Sequence, residues 1–379
     1  MLTQCIYCSS GDLREIESYR ALHRITSDCK PWGDSGKFAV CSACGMPQTV
    51  TDSQWNAEIE KIYSSYSIYY QSGGQEQSVF DPQTGQPSLR SECIIRRLLS
   101  NVTLSLEGSL LDYGCGNGGF LRAFQRSVSG WNLYGCEWND KHHEQLSAIP
   151  GFVKLYSSPD MVIREAYDVV SLIHCLEHLP QPCDMLSRLR RLVKEDGLLL
   201  IQVPDCSINP FLLLLADHCS HFSVETLSAL IRAAGFEILV ATNQWVPKEI
   251  TIVARPTAKP YPFTSVGFEH AQLLEHHLAW LSEVSAQARK ESEEKKLGIF
   301  GTAIAGTWLW KELEGRAAFF VDEDPNRQGL QHYGLPILSP HKVPPESSVY
   351  LALPPLISLS VQKRLHGVIT NLIVPHQLN

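Results

Sequence analysis

The sequence predicts an α/β protein in which a doubly wound sheet lies between a small cysteine-bearing module and a second α/β unit. Between residue 104 and about residue 254, short apolar runs alternate with helical segments, as in a doubly wound sheet. Two pairs of cysteines precede this region, and a new strand followed by a glycine turn begins at Leu297. A chain of 379 residues exceeds what one hydrophobic core usually organises, so several units are expected.

Composition and charge exclude several classes of protein. The 44% hydrophobic and 19% charged content is typical of a soluble globular chain. With a net charge of −8 and a pI near 6.0, the chain lacks the excess of positive charge by which proteins bind the phosphates of nucleic acids. The N-terminus lacks the pattern of a signal peptide, and the most apolar run, Phe211 to Ala216, is far shorter than a membrane helix. We therefore expect a cytoplasmic protein with reduced thiols, no nucleic-acid partner and no membrane partner.

Two cysteine pairs predict a structural zinc site. Cys5 and Cys8 are separated by two residues, as are Cys41 and Cys44. This spacing lets both thiolates of a turn face one ion, and two turns complete the tetrahedron that zinc prefers, leaving no open position for chemistry. Four unrelated buried thiols and a nucleic-acid-binding ribbon are the alternatives. Cys29 lies between the pairs and could replace one ligand.

The chain is expected to divide into five segments. Arg90 to Leu99 has the periodicity of an amphipathic helix, and Glu269 to Lys296 that of one long helix. The predicted segments are a zinc-binding module at 1–60, a tyrosine-rich helical connector at 61–103, the main sheet domain at 104–255, a hinge and long helix at 256–296, and a second nucleotide-type domain at 297–379.

A glycine-rich turn predicts a cofactor site at the start of the main sheet. An apolar strand reaches Asp112, and Gly114, Gly116 and Gly118 follow it at alternate positions. Glycines let backbone amides approach a ligand and adopt positive φ values. A carboxylate in front of this turn would repel a pyrophosphate but attract the ammonium of a methionine moiety.

The next predicted strand also ends in an acid. Glu137 follows the apolar run that starts at Leu133, and its carboxylate can accept both hydroxyls of a ribose. Trp138 can cover the face of an adenine. The acid, the turn and the second acid together indicate a nucleoside-containing cofactor.

This arrangement resembles that of the class I S-adenosylmethionine-dependent methyltransferases, whose motif is an acid followed by three alternating glycines. The segment from Tyr167 to Leu179 is similar to the fourth strand and following loop of that family. The resemblance implies a class I methyltransferase fold with S-adenosylmethionine as cofactor, and an adenine contact between Ser157 and Asp160. It implies these cofactor-binding residues: Asp112, Gly114, Cys115, Gly116, Gly118, Glu137, Trp138 and His174.

The order of units along nearly the whole chain resembles that of the sugar C-methyltransferases, which act on nucleotide-linked keto-sugars. That family uses a Tyr-x-Glu-His motif. Here Leu215 stands at its tyrosine position, Asp217 at its glutamate and His218 at its histidine. His178 matches another family histidine, and two tyrosines lie near the family's N-terminal catalytic tyrosine. The resemblance implies these catalytic residues: His218, Asp217, His178, Tyr69 and Tyr66.

Two kinds of acceptor chemistry remain open. Carbon alkylation requires removal of a proton next to a carbonyl and stabilisation of the resulting oxyanion, whereas a hydroxyl acceptor needs only a base. His218 assisted by Asp217 could serve either reaction, so C-methylation of a sugar or nucleotide-linked sugar is favoured and O-methylation of a sugar or small molecule is the alternative. His143, His276 and His277 are expected on solvated helices and receive no role.

The C-terminal unit is expected to be a Rossmann-like α/β domain. A strand leads into Gly301 and Gly306, and the next strand ends in Asp322. This turn either holds a nucleotide diphosphate or only packs a helix against a strand. It lacks the three-glycine fingerprint of a dinucleotide site, which disfavours an NAD-dependent enzyme. A non-catalytic cofactor-binding scaffold is a further alternative, and the sequence does not indicate an oligomeric state.

Overall fold

The computed structural model describes residues 4–33, 36–66, 76, 78–80, 87–138, 140–158, 166–258, 261, 265, 268–376 and 378. The N-terminal part is built from short strands around two cysteine-bearing turns. Three of the strands form an antiparallel sheet in the order β1-β4-β5, and the other two pair with each other. The strands are β1 Leu13–Glu15, β2 Arg24–Ile25, β3 Pro31–Trp32, β4 Phe38–Cys41 and β5 Pro47–Thr49.

Two helices and a hairpin connect this module to the main sheet. The first helix begins after Asp52, whose side chain accepts a hydrogen bond from the backbone N–H of Trp55, an N-cap that satisfies a free amide of the first turn. The elements are α1 Ser53–Ser64, β6 Ser78–Phe80, β7 Pro87–Leu89 and α2 Arg90–Asn101.

The main sheet has seven strands in the order β10-β9-β8-β11-β12-β14-β13. All neighbouring strands are parallel except that β14 runs antiparallel to both of its partners. The strands are β8 Gly108–Tyr113, β9 Trp131–Cys136, β10 Phe152–Tyr156, β11 Tyr167–Ile173, β12 Val193–Pro204, β13 Phe236–Thr242 and β14 Glu249–Pro256. The helices are α3 Gly119–Ser127, α4 His143–Ser147, α5 Pro182–Leu189 and α6 Val224–Ala233.

This topology confirms the predicted fold class, an α/β sheet of the class I methyltransferase type. The strand order reverses between β8 and β11, and ligands of doubly wound sheets bind beside the carboxyl ends of the strands at such a switch point. The glycine turn after β8 and the loop after β11 therefore lie at the expected place for a ligand.

Apolar residues cover both faces of the sheet, as a parallel sheet with helices on both sides requires. Successive residues of β11 point to opposite faces of the sheet. Val170 packs with α5, α6 and the cysteine-bearing module, whereas Val169 packs with α2 and α3. Leu111 and Leu110 of β8 divide in the same way. The module is thus part of the packing on one face of the sheet.

The C-terminal part is a second α/β sheet behind a long helix. Its strand order is β17-β18-β16-β15-β19-β20, with only β17 antiparallel to its neighbour. The strands are β15 Leu297–Phe300, β16 Ala317–Val321, β17 Gln331–His332, β18 Leu335–Leu338, β19 Ser348–Leu351 and β20 Asn371–Ile373. The helices are α7 Phe268–Glu294, α8 Ile304–Glu312 and α9 Pro355–Leu365.

Short 3₁₀ helices and cross-contacts join these parts. The 3₁₀ helices span Glu17–Ala21, Leu176–His178, Pro210–Leu214 and Pro340–Lys342. Helix α8 packs against β2 and β3, and Glu312 at its end accepts a hydrogen bond from the backbone N–H of His23 at 3.0 Å. Among the helices of the described residues, none combines the length and apolar character needed to cross a membrane.

Candidate active site

The four cysteines predicted as metal ligands lie together. Cys5 Sγ is 3.6 Å from Cys44 Sγ, and Cys8 Sγ is 3.6 Å from Cys41 Sγ. All four sulfurs lie within 4.8 Å of one another, and none is in a disulfide. A tetrahedron of sulfurs about 2.3 Å from a zinc ion has edges of about 3.8 Å, so the donor set fits zinc.

Cys29, the alternative ligand, is not part of this group of sulfurs. It is buried in a turn with a positive φ of 64°, and its backbone carbonyl accepts a hydrogen bond from the Tyr333 hydroxyl at 3.0 Å. Cys29 therefore lies where the N-terminal module meets the C-terminal sheet.

The backbone of the turn after β8 adopts conformations that favour glycine. Gly114, Gly116 and Gly118 have φ values of 75°, 51° and 82°, in the left-handed region that disfavours other residues. A Cβ atom at Gly114 would lie 2.7 Å from Cys175 Sγ. The turn thus contacts the loop after β11 directly, which brings the predicted cofactor residues beside the predicted catalytic ones. Cys115, between the glycines, is buried.

Two carboxylates flank the turn. The buried Asp112 accepts a hydrogen bond from Ser171 Oγ at 2.7 Å. Burial raises the pKa of Asp112 to about 7; the Ser171 hydrogen bond opposes this shift and the charge of Glu137 adds to it. Glu137 accepts hydrogen bonds from the backbone N–H groups of Gly116 and Trp138, each at 2.8 Å. The Trp138 side chain is 86% exposed, so its ring is open to a ligand face.

His174 lies between two further carboxylates. It follows β11 with a positive φ of 52°, and its backbone N–H donates to Gln202. Its Nε2 lies 3.0 Å from Glu249 and its Nδ1 lies 3.4 Å from Glu177. Burial alone would lower the pKa of His174, but the charge of Glu249 raises it above its ordinary value. Arg90 also faces Glu249, at 3.4 Å.

Asp217 pairs with a different histidine from the one that the sequence suggests. The expected partner was His218, but the Asp217 carboxylate accepts hydrogen bonds from Ser27 N at 2.9 Å and Ser27 Oγ at 2.5 Å, and lies 3.5 Å from His178 Nδ1. The same His178 nitrogen is 2.9 Å from the backbone carbonyl of Asp217 and 3.1 Å from the Tyr63 hydroxyl. The carboxylate and carbonyl of one residue therefore orient the His178 ring.

His218 lies beside His178. The two rings meet edge to face with their centroids 4.6 Å apart, and the His218 side chain is buried. Burial lowers the pKa of His218 well below its ordinary value, and the neighbouring His178 and His221 lower it further. The His218 imidazole is therefore neutral near pH 7.

The tyrosines come from the end of α1 and the residues after it. Tyr66 Oη lies 3.1 Å from Ser27 Oγ, and the Tyr63 and Tyr66 rings are 5.5 Å apart. Burial raises the pKa of both phenols, so they carry protons and can donate hydrogen bonds. Tyr69 and Asp160, which the sequence analysis also singled out, lie outside the described residues.

Three residues of this cluster were not anticipated. Ser27 orients Asp217, Tyr63 contacts His178, and Glu177 is buried next to His178. The tyrosine-rich connector and the segment from Tyr167 to Leu179 indicated the last two regions, whereas nothing in the sequence distinguishes Ser27 from other serines.

Other histidines serve packing. His221 is buried, hydrogen-bonds Thr49 Oγ1 at 3.0 Å and has a pKa lowered to about 3 by burial. The expectation of a solvated His277 was wrong, because this side chain is 2% exposed on the inner face of α7. His276, one residue earlier, is exposed as expected.

The glycine turn of the C-terminal sheet lies next to Asp322, whose carboxylate has partners within the protein. Gly301 has a φ of 89°, and a Cβ atom at Gly306 would lie 2.0 Å from the Gly301 carbonyl oxygen. Asp322 accepts a hydrogen bond from Thr302 Oγ1 at 2.7 Å and faces Arg327 at 3.5 Å. The positive φ accounts for Gly301, and the close approach of α8 to the turn accounts for Gly306.

Residues 89–241 match a family model described as a methyltransferase domain. No curated protein matches the sequence of this chain. The similar solved structures include an S-adenosylmethionine-dependent methyltransferase from Clostridium acetobutylicum ATCC 824, with 11% identity over 44% of this chain and 91% of that chain and a TM-score of 0.38. The 1,6-didemethyltoxoflavin-N1-methyltransferase of Burkholderia thailandensis has 18% identity over 59% of this chain and 96% of its own, with a TM-score of 0.40.

A third similar structure is an O-methyltransferase family 2 protein from Planctomyces limnophilus DSM 3776 in complex with apigenin. It has 16% identity over 40% of this chain and 50% of that chain, with a TM-score of 0.35. All three TM-scores are below 0.5. The assignment of a methyltransferase domain therefore rests on the family match over residues 89–241 and on the seven-stranded sheet.

Proposed function

Since the chain is an S-adenosylmethionine-dependent methyltransferase with its methyltransferase domain at residues 89–241, we propose that it methylates a sugar or a nucleotide-linked sugar. Methylation of a carbon next to a keto group, with a histidine as base, is the favoured reaction. The observation that carries this proposal is the His178, Asp217 and Tyr63 cluster, held next to the glycine turn by the contact between Cys175 and Gly114.

We propose that the cofactor lies over the turn between β8 and α3. Bound there, S-adenosylmethionine supplies an electrophilic methyl group on a sulfonium. Glu137 supports the ribose, because its carboxylate is held at the strand end by two backbone N–H groups and keeps further lone pairs for hydroxyls. Asp112 supports the ammonium of the methionine part, and the exposed Trp138 ring the adenine.

On the acceptor side, His178 is suited to move a proton. A backbone carbonyl only accepts hydrogen bonds, so the Nδ1 facing the Asp217 carbonyl carries a hydrogen and the lone pair is on Nε2. The neutral His218 beside it supplies a second basic nitrogen. One of these nitrogens would take the proton from the carbon next to the acceptor carbonyl. The electron pair left on that carbon would form the new bond to the methyl group while the sulfur–methyl bond breaks, and its electron pair would stay on the leaving thioether.

The protonated tyrosines complete the requirement for carbon methylation. Removal of the proton leaves negative charge on the acceptor oxygen, and donors aimed at that position lower the barrier. Tyr63 supplies such a donor next to His178, with Tyr66 beside it. O-methylation is the second candidate, because Leu215 is buried where the resembling family has its tyrosine, and a hydroxyl acceptor needs only the base.

We also propose that Cys5, Cys8, Cys41 and Cys44 hold one structural zinc ion. The spacing of the sulfurs supports this, since it is close to that of a zinc tetrathiolate. The ion would stabilise the N-terminal module, which places Ser27 next to Asp217, and it has no part in methyl transfer.

The test is a turnover assay with S-adenosylmethionine and a panel of nucleotide-linked sugars, each as the keto form and as the reduced form with a hydroxyl. Carbon methylation predicts a methylated product from keto forms only, and in deuterated water the enzyme exchanges the proton next to the carbonyl. Products from the reduced forms, with the methyl on oxygen, would establish the second candidate. Absence of any methylated sugar, from a folded enzyme that binds S-adenosylmethionine, would refute a sugar acceptor.

A further inference from the structure

We propose that Glu177, His178 and His218 form a binding site for a divalent transition-metal ion, distinct from the four cysteines. One potential ligand atom from each of these residues lies within 4.8 Å of the other two. The three residues come from two segments, the 3₁₀ helix after β11 and the loop before α6. The nearest predicted function of this region is acceptor binding, and neither the fold nor the domain match assigns a metal to it.

Glu177 gives the clearest indication of a bound cation. Its side chain is 1% exposed, neither carboxylate oxygen has a close hydrogen-bond partner among the described residues, and His174 Nδ1 lies 3.4 Å from one of the oxygens. A buried carboxylate held by one such long contact is costly, and native structures normally compensate it with donors or a cation. A metal ion between Glu177 and the two imidazoles supplies that compensation.

The groups around Glu177 are mostly acidic. His174 is shared between Glu177 at 3.4 Å and Glu249 at 3.0 Å, and Arg90 lies 3.4 Å from Glu249 and 4.0 Å from Glu76. Asp217 adds a fourth carboxylate, 3.5 Å from His178, and the Lys248 ammonium also acts on Glu249. Four carboxylates thus face Arg90, His174 and Lys248, a formal excess of one negative charge even with His174 protonated.

His178 is already oriented as metal-ligating histidines are. Its Nδ1 donates to the Asp217 carbonyl at 2.9 Å, which leaves the Nε2 lone pair for a ligand. Histidines bound to metals usually donate their other ring N–H to a carbonyl or carboxylate in this way, because the bond fixes the ring and its tautomer. Ser27 in turn holds Asp217 in place.

The ligand set selects the kind of ion. Two imidazoles and one carboxylate suit zinc, cobalt and similar transition ions, whereas calcium and magnesium prefer oxygen ligands. Three protein ligands leave at least one position open, unlike the closed cysteine site. The His178 side chain is 15% exposed, more than either of the other two, so an ion enters from its side.

An ion bound at this site also affects methyl transfer, an inference that rests on the proposed function. The ion uses the nitrogen lone pairs of His178 and His218, and proton removal from the acceptor needs the same lone pairs. An ion at this site therefore inhibits methyl transfer.

The test uses Co²⁺ alone, titrated into the full-length protein with its cysteine site loaded with zinc. We expect one further equivalent of Co²⁺ to bind, with the weak visible bands of nitrogen and oxygen ligands and without the intense near-ultraviolet band of thiolates. Glu177→Gln and His218→Asn should each weaken Co²⁺ binding by about tenfold or more, since even indirect changes around metal sites cost that much.

Matched controls separate ligand loss from general damage. Glu195→Gln and His276→Asn change exposed residues of the same types and should bind Co²⁺ like the wild type. Circular dichroism and S-adenosylmethionine binding establish that each variant is folded. The site would be overturned if no equivalent of Co²⁺ binds to the zinc-loaded protein, if the bound Co²⁺ shows a thiolate band, or if folded Glu177→Gln binds Co²⁺ with unchanged affinity.

Inhibition is measured on the wild type with any acceptor found in the sugar panel. Turnover should fall as this one equivalent of Co²⁺ binds. A rise in turnover would overturn the competition and, with it, the assignment of the histidines as proton acceptors. If no sugar is methylated, the proposed function fails while the Co²⁺ titration still decides the metal site.

Discussion

The proposed cofactor side and the proposed acceptor side of this enzyme are built by the chain in opposite ways. The proposed cofactor contacts Asp112, the glycine turn, Glu137 and Trp138 belong to two consecutive, neighbouring strands and their ends. The acceptor cluster draws Ser27, Tyr63, Glu177, His178, Asp217 and His218 from four distant segments. A continuous stretch keeps its geometry through local backbone contacts, whereas a composite cluster depends on how separate elements pack.

The N-terminal module links these segments. The backbone of Thr49 donates to Cys219, and the Thr49 side chain hydrogen-bonds His221 on the same loop as His218. Ile25 forms a bridge with Leu215, close to Asp217. The acceptor side should therefore fail when the module is disturbed, while the cofactor side should not.

The largest expected effect comes from removing one zinc ligand. Cys41→Ser should abolish zinc binding and unfold the module, because structural zinc sites couple about 10–16 kcal/mol of binding free energy to folding. Turnover should be lost while S-adenosylmethionine binding persists. Metal analysis, thermal unfolding and calorimetry measure the three effects, with Cys183→Ser, outside the cluster, as control. Zinc-free wild-type protein, prepared without chelator, would contradict the zinc site.

The second prediction separates the two sides by a change in the acceptor cluster. His218→Asn should lower turnover by about 10²–10⁴-fold, the usual contribution of a positioned base, and leave the dissociation constant of S-adenosylmethionine almost unchanged. Steady-state kinetics and calorimetry test both parts, and His276→Asn on the exposed face of α7 is the matched control. Full activity in His218→Asn would transfer the base role to His178.

The third prediction concerns a change on the cofactor side instead of the acceptor side. Glu137→Ala removes the carboxylate proposed for the ribose hydroxyls and should cost about 1.5–3 kcal/mol, the range for hydrogen bonds to a charged group. This corresponds to a dissociation constant about 10–100-fold higher. Glu144→Ala, at an exposed glutamate of α4, should bind normally. Wild-type affinity in folded Glu137→Ala would place the ribose elsewhere.

The smallest expected effect is a pH dependence of cofactor binding. Burial raises the pKa of Asp112 to about 7, so in the free enzyme the carboxyl is ionised above that pH and protonated below it. The cofactor ammonium pairs with the ionised form, and affinity should therefore weaken by about tenfold between pH 8 and pH 6. Calorimetry across this range should show the slope, and Asp112→Asn should abolish it. The same slope in Asp112→Asn would assign it to another group.

Local patterns were enough to predict the cofactor side and the fold. The acid and alternating glycines from Asp112 to Gly118 dictate backbone conformations that only glycine adopts readily, and the alternation of apolar runs with helices predicts a parallel sheet with two covered faces. The seven-stranded sheet and the match to a methyltransferase domain confirm the predicted fold, and the positive φ values confirm the glycine conformations, while the cofactor contacts stay a prediction. Spacing also predicted that the cysteine pairs would converge, because each pair is a single turn.

Only the tertiary structure decided the partners within the acceptor cluster. Asp217 and His218 are adjacent in sequence and both lie beside His178, but Asp217 is held in place by Ser27, 190 residues away in the chain. The burial of His277 likewise depends on what packs against α7. Sequence patterns determine conformations and faces over a few residues, whereas contacts between distant segments depend on the packing of whole elements, which no local pattern encodes.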